Sequence, residues 1–348
     1  MGWALVVGGS HCRRATLLNE RAVILGSGPA ALSFVTDLAE IEIEFEEPVA
    51  MYHDKFIVPA EEKIDLKDYS PGYTHHFKDE SEAKEKLEED VARLFRCQDV
   101  LYAQHCYSVL IVFQAMDAAG KDGTIKHVMS GLNPQGCQVT SFKAPSAEEL
   151  SHDYLWRCLK KLPERGKIGV FNRSHYEEVI AVRVHPELLE REIIPREFVD
   201  DKIWKRRFEE INSFEKYLFE NGMLILKFFL NVSKEEQRRR LLERLEKPEK
   251  NWKYSASDIR ERAFWDSYMA AYESAFNHTS TQWAPWYIIP ADHKWFTWVA
   301  VADVIIERMK SLDLRYPTIG DKQKAEIEEA KRILLGEVSK TKEPGREE

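Results

Sequence analysis

The sequence predicts an α/β fold, a three-layer sandwich in which a five-stranded parallel sheet carries helices on both faces. Short apolar, β-branched runs recur at Ser108 to Gln114, Gln138 to Phe142, Lys167 to Asn172, Met223 to Asn231 and Trp286 to Pro290. Longer stretches of helical periodicity separate them. Strands that alternate with helices pair in parallel through right-handed crossovers. Ligands bind such sheets outside the carboxyl ends of the strands, so the loops that follow each run are where function is sought.

Composition narrows the class of protein. Of 348 residues, 44% are hydrophobic, enough for a substantial core, which excludes a disordered or fibrous chain. The formal net charge of −9 argues against a general nucleic-acid binder. A local basic groove could still hold a polyanion. The five cysteines, Cys12, Cys97, Cys106, Cys137 and Cys158, form no CxxC pair, so neither a disulfide framework nor a zinc site is suggested and a reducing, cytoplasmic setting is expected. The apolar stretch Ala22 to Val35 is interrupted by Gly26, Gly28 and Pro29 and is too short to span a membrane.

Residues 1–50 read as a poorly ordered N-terminal extension, with Met51 the more natural beginning. Within them, Ala22 to Leu32 imitates a strand and a dinucleotide-binding glycine turn, but Ala31 stands at the third glycine position and no βαβ unit follows. Arg13, Arg14 and Arg21 before the apolar run give only a faint likeness to a signal peptide. From Asp79 to Gln104, Ala83, Leu87, Val91, Leu94 and Phe95 recur at helical spacing and predict a long amphipathic helix leading into the core. The main domain is expected over 51–318. Residues 319–348, rich in Lys and Glu, read as a C-terminal helix and tail.

The chemistry is expected first in the loop after the run Ser108 to Gln114. There Ala115-Met-Asp-Ala-Ala-Gly-Lys-Asp-Gly-Thr124 precedes a helical stretch from Ile125 to Met129. A strand, a tight loop and a helix N-terminus together aim backbone N–H groups and a positive dipole at one point, which suits a chain of phosphates. Ala118, Ala119, Gly120, Asp122, Gly123 and Thr124 would form the cradle, and Lys121 would neutralise bound phosphate. The loop departs from the usual P-loop rule, because Ala115 replaces the first glycine and Asp122 the hydroxyl residue after the lysine. Asp117 is a carboxylate in a loop that ought to be electropositive, which Mg²⁺ explains, with Mn²⁺ a possible substitute. Phosphoryl transfer needs alignment and charge neutralisation more than covalent help.

Two further segments fit this chemistry. Lys167-Ile-Gly-Val-Phe-Asn-Arg-Ser-His-Tyr-Glu-Glu178 is a strand that ends in polar groups, with Asn172 where a Walker B carboxylate would stand and Arg173 able to grip phosphate in a fork. Glu177 or Glu178 could then assist Asp117 in holding the metal. Between Glu235 and Arg262, basic residues that include Arg239, Arg240, Arg244, Lys250 and Lys253 surround a break at Pro248. Such a run is commonly a solvated helix face. Its place after a strand, and a helix resuming at Ser257, give the layout of a lid that closes cations over phosphates and excludes water.

These residues resemble the polyphosphate kinase 2 family. The resemblance rests on Met116 to Cys137, Phe142-Lys-Ala-Pro-Ser146, Asn172-Arg-Ser-His-Tyr176, Arg183-Val-His-Pro-Glu187 and Lys250-Asn-Trp-Lys253, in order, from about Tyr52 to Tyr316. It implies a P-loop kinase-like fold with a helical lid, and phosphoryl transfer between inorganic polyphosphate and adenine or guanine nucleotides. It also implies a homo-oligomer, a tetramer or dimer. Asp117, Lys121 and Arg173 match the family's Walker residues. The Asn172 form resembles the class III subgroup, which accepts AMP and ADP. Lys126, Asn133, Phe142, Lys143 and Arg183 are then candidate substrate contacts. An ATP-dependent nucleotide kinase would share the loop and lid, and a non-catalytic polyphosphate or nucleotide sensor would share the altered loop, so donor choice and turnover separate the three.

Overall fold

The computed structural model describes residues 55–60 and 62–340, with side chains described to residue 336. The expectations for residues 1–50 and for the last eight residues lie outside that range. Along the chain run α1 (Glu80–Gln104), β1 (Ser108–Gln114), α2 (Lys121–Val128), β2 (Cys137–Ser141), α3 (Ala147–Leu150) and α4 (Trp156–Leu159). They are followed by β3 (Ile168–Asn172), α5 (Ala181–Val184), α6 (Ile203–Glu220), β4 (Met223–Asn231), α7 (Lys234–Glu246), α8 (Ala256–Glu261), α9 (Trp265–Thr279), β5 (Trp286–Pro290), α10 (Lys294–Lys310) and α11 (Asp321–Lys340).

All five expected strands form, and they pair in parallel in the order β2-β3-β1-β4-β5. Inner strands β1 and β4 and edge strand β5 are buried at every residue, which is why their sequences read as apolar runs. The opposite edge strand, β2, has no buried position, with Cys137 and Thr140 half-buried and the other three exposed. It begins at Cys137 rather than Gln138 and ends a residue early, although the Phe142 N–H still bonds the Asn172 carbonyl at 3.0 Å. The outer edge of β5 is covered by an antiparallel bridge between Ile57 and Tyr287, which removes an exposed ladder.

Helices α1, α2 and α10 pack together on one face of the sheet, and α6 and α9 on the other. The long helix α1 starts where the sequence places it, because the Asp79 carboxylate accepts bonds from the Ser81 and Glu82 N–H groups. Ala83 and Leu94 are buried as its periodicity requires, whereas Phe95 falls off the stripe and is 45% exposed. Helix α2 begins four residues earlier than the helical pattern suggested, at Lys121 itself. Phe296 is buried and Trp298 stacks on His127 with ring centroids 3.6 Å apart, so the aromatic cluster opening α10 serves packing.

Strand β4 also carries a charge that the sequence reading did not single out. Lys227 is 0% exposed, and its Nζ donates to Glu215 Oε2 at 2.6 Å, Tyr176 Oη at 2.9 Å and the Thr279 carbonyl at 2.7 Å. Burial pushes the Glu215 carboxyl up, but Lys227 and His175 outweigh it and hold the group below its ordinary value. The network fixes Tyr176 beneath the turn that follows β3. Removing one partner of such a pair strands a buried charge, so Lys227→Met is expected to lower unfolding free energy by about 3–5 kcal/mol. Lys227→Met with Glu215→Leu should recover more than half of that loss, as measured by denaturant unfolding.

Candidate active site

Chain direction locates the site. After β1 the chain turns toward β2 and β3, and after β4 toward β5, so the connections diverge between β1 and β4. A crevice opens at such a switch point, outside the carboxyl ends of the strands. The loop Ala115–Gly120 and the start of α7 meet there.

The loop is built from alternating backbone hands. Ala118 has φ 62° and Gly120 φ 114°, both on the left-handed side that L-residues rarely adopt. A Cβ on Gly120 would find its nearest neighbour, Arg240 Nη1, at an ordinary 3.6 Å, so backbone conformation rather than space requires glycine there. The first backbone bond of α2 is Thr124 N–H to the Gly120 carbonyl at 2.9 Å, which leaves earlier N–H groups at the helix start. Thr124 itself does not face a ligand; it is buried, with Oγ1 donating to the Gly120 carbonyl at 3.1 Å. Lys121 Nζ folds onto the Ala115 and Met116 carbonyls at 2.8 and 3.3 Å. Burial, and then the neighbouring Arg173 guanidinium, lower its pKa to about 8 against the pull of Asp117, Glu177 and Asp122.

Arg173 follows β3 with φ 63°, held by its N–H to the Phe113 carbonyl at 3.0 Å. Its Nη2 donates to Asp117 Oδ1 at 2.6 Å and its Nη1 to Glu177 Oε2 at 3.3 Å. Asn172 Nδ2 donates to Asp122 Oδ1 at 2.7 Å. The three residues expected to carry the chemistry, Asp117, Lys121 and Arg173, are therefore brought together, with Asp122, Asn172 and Glu177 beside them. Oxygen donors prevail, and no group of three His, Cys, Asp or Glu side chains forms a metal cluster among the described residues. That set suits a hard cation held chiefly by water and substrate oxygens, as Mg²⁺ is.

Beyond Arg173 and Glu177 lies a cavity of about 850 Å³. Phe142, Lys143 and Arg173 line one side, Val182 and Leu188 add apolar surface, and Lys253 reaches in from the lid. One wall residue, Arg157, escaped sequence reading, and another, Glu178, was expected beside the metal instead. Arg157 lies over the Phe142 ring at 5.4 Å and donates to the Lys143 carbonyl at 2.8 Å. Glu178 is buried between Arg157 and Arg207, so it belongs to this wall and not to a metal site. Burial, then the charge of Glu192, raises its pKa.

The segment expected to form a lid consists of α7, a 3₁₀ turn at Pro248–Lys253 and α8. Arg244 Nη1 bonds Asp258 Oδ2 at 2.8 Å and ties its two arms together. Arg239 pairs with Glu236 and Lys250 with Glu243, so these cations face carboxylates of the same segment. Arg240 is a correction. It is 4% exposed, and all five of its N–H donors are taken, by Glu236 and by the carbonyls of Ala118, Ala119, Ala291 and Asp292.

Two other expectations are also corrected. Asn133 precedes β2 and so lies at the amino end of the sheet, where its backbone bonds Gln98 of α1 and its side chain caps Gln135. Arg183 donates to Ser274 Oγ of α9 at 2.7 Å and does not line the cavity. Lys126 and Gly123 stay on α2, with Lys126 exposed.

This geometry agrees with what comparison finds. The family profile described as Polyphosphate kinase 2 matches residues 77–317. An ADP-polyphosphate phosphotransferase of Rhodopseudomonas palustris is 49% identical over 282 residues, covering 81% of this chain and 98% of that protein. An AMP/ADP-polyphosphate phosphotransferase of Meiothermus ruber is 43% identical over 264 residues, 76% of this chain and 95% of that one. The crystal structure of polyphosphate kinase 2 from Arthrobacter aurescens TC1 superposes with a TM-score of 0.69 at 40% identity, covering 76% of this chain and 93% of the other. Matched over most of its length by the family profile and by relatives that it covers almost entirely, the chain belongs to the polyphosphate kinase 2 family.

Proposed function

We propose that this protein is a polyphosphate-dependent nucleotide kinase that moves a phosphoryl group between inorganic polyphosphate and AMP or ADP, with Mg²⁺ as the metal. The observation that carries the reading is the position of Arg173, whose guanidinium bonds Asp117 on the phosphate loop and Glu177 on the cavity wall. It stands where an anion on the loop and a nucleotide in the cavity would meet. The cavity's apolar surface and ringed Phe142 suit a base, while Lys143 and Lys253 suit its phosphates.

Charge explains the need for a cation. The groups acting on Lys121 are one guanidinium and three carboxylates, so with the lysine the protein alone supplies two positive charges against three negative ones. Polyphosphate would be repelled by that balance. Mg²⁺ held by Asp117, with Asp122 near, would reverse it and draw charge from the phosphoryl group in transfer. The loop amides and Lys121 would hold the donor, and Arg173 would exchange its carboxylate partners for phosphate. An acceptor phosphate oxygen is already anionic near neutral pH, so alignment rather than a strong base drives the reaction. The lid would close and keep water out. A cytoplasmic homo-oligomer belongs to the same proposal and rests on family resemblance.

Supplying polyphosphate or ATP with AMP or ADP and Mg²⁺, then separating the nucleotides, tests the donor. Polyphosphate should support turnover and ATP should not replace it; the opposite result would make the protein an ordinary nucleotide kinase, and binding without turnover a sensor. Lys121→Ala and Arg173→Ala should each reduce kcat by about 100-fold or more with unchanged thermal unfolding. Acidity gives a second check. An amine of pKa about 8 is partly neutral in the free protein above that pH, and a bound polyanion restores its charge. Polyphosphate binding at pH 8.5 or so should therefore take up a proton, seen as calorimetric heats that differ between buffers of unlike ionisation enthalpy, and kcat/KM should fall above pH about 8.

A further inference from the structure

Helix α7 engages three successive carbonyls of the phosphate loop. Gln237 Nε2 donates to the Asp117 carbonyl at 3.0 Å, and Arg240 Nη1 donates to those of Ala118 and Ala119 at 3.2 and 2.6 Å. The two residues are three apart, on one face of the helix, and they are 1% and 4% exposed. A polyphosphate grip does not account for them, since both are buried and Arg240 has no donor left toward the loop's open side. Arg240 Nη2 is held in turn by the Ala291 and Asp292 carbonyls after β5 at 2.6 and 3.1 Å. Gln237 Oε1 accepts from Arg262 Nη1, on the returning arm of the lid, at 2.6 Å.

The consequence follows from peptide geometry. In a planar trans unit the N–H points opposite the C=O of the preceding residue. Carbonyls of residues 117, 118 and 119 drawn toward α7 therefore turn the N–H groups of Ala118, Ala119 and Gly120 away from it. The Ala119 N–H closes the loop's own turn to the Met116 carbonyl at 3.3 Å. Those of Ala118 and Gly120 remain, on residues whose positive φ values give the concave arrangement that binds anions. A loop released from α7 could let these planes flip and present carbonyl oxygens to phosphate.

We propose that Gln237 and Arg240 are positioning residues that fix the loop amides toward the polyphosphate chain, so that the root of the lid sets the anion site. The inference rests on the loop being that site, as proposed above. Through Arg262 and Gln237, the position of the lid's returning arm is linked to the same peptide planes.

The test uses the full chain with Mg²⁺ and tripolyphosphate as probe, comparing the parent with Gln237→Met and Arg240→Lys. Each variant should bind tripolyphosphate about tenfold more weakly by calorimetry, the loss expected when a hydrogen bond that orients a charge-binding group is removed. In protein labelled with ¹⁵N-alanine, the Ala118 amide should shift on adding tripolyphosphate in the parent and fail to do so in Gln237→Met. Unchanged melting of Gln237→Met would separate this effect from loss of fold. Arg240→Lys keeps the charge but cannot hold four carbonyls in one fork; binding at parental strength by either variant overturns the inference. If Arg240→Lys does not fold, Gln237→Met alone decides. A parent that ignores tripolyphosphate overturns the anion site itself and this inference with it, whereas equal binding by parent and variants overturns only the latter.

Discussion

Every strand of this sheet runs the same way, and that single direction dictates where chemistry can occur. Loops leaving β1, β3, β4 and β5 emerge at one edge of the sheet, and each brings a different kind of group: amides and a lysine, an arginine, a helix with buried donors, and the carbonyls of Ala291 and Asp292. The buried network around Lys227 sits under this edge and anchors Tyr176, three residues beyond Arg173. The core is thus shaped to present a charged rim.

The same constraint explains what could be read from the sequence. Strands and their order of appearance were legible because burial on both faces leaves apolar runs, and Asp117, Lys121 and Arg173 were legible because Arg173 directly follows one such run and the other two lie in the short loop and helix start after another. Asn133 was misplaced since proximity to a motif in sequence says nothing about which end of the sheet a loop occupies. The basic residues of α7 defeated sequence reasoning for another reason. Positions 237 and 240 share its buried face and 239 does not, but acids and bases alternate around the whole helix, so only packing shows which face meets the loop. The cavity wall was hidden too, being assembled from segments near residues 142–157, 177–192 and 253–257. Spacing of 237 and 240 was the one available signal for the buried face.

The segment from α7 to α8 is laced with internal ion pairs. Arg239, Arg244 and Lys250 each hold a carboxylate of that segment, so any anion drawn to them would compete with Glu236, Asp258 and Glu243. The Arg239 side of the first pair is open to solvent, where screening weakens an ion pair, whereas Arg244 and Asp258 are both partly covered. Such pairing keeps a strongly basic segment from gripping unrelated polyanions while leaving its cations within reach of a multiply charged one.

Ala118 and Arg173 both sit in left-handed backbone conformations, one on each side of the place where phosphate would lie. Each such residue costs about 1–3 kcal/mol and persists only because its surroundings insist on it. Efforts to harden this protein against heat would find both turns attractive, since a glycine at either would relax them. A protein toughened that way would gain half-life but give up the guanidinium at one turn and the fixed hand of the loop at the other, the usual exchange of activity for stability.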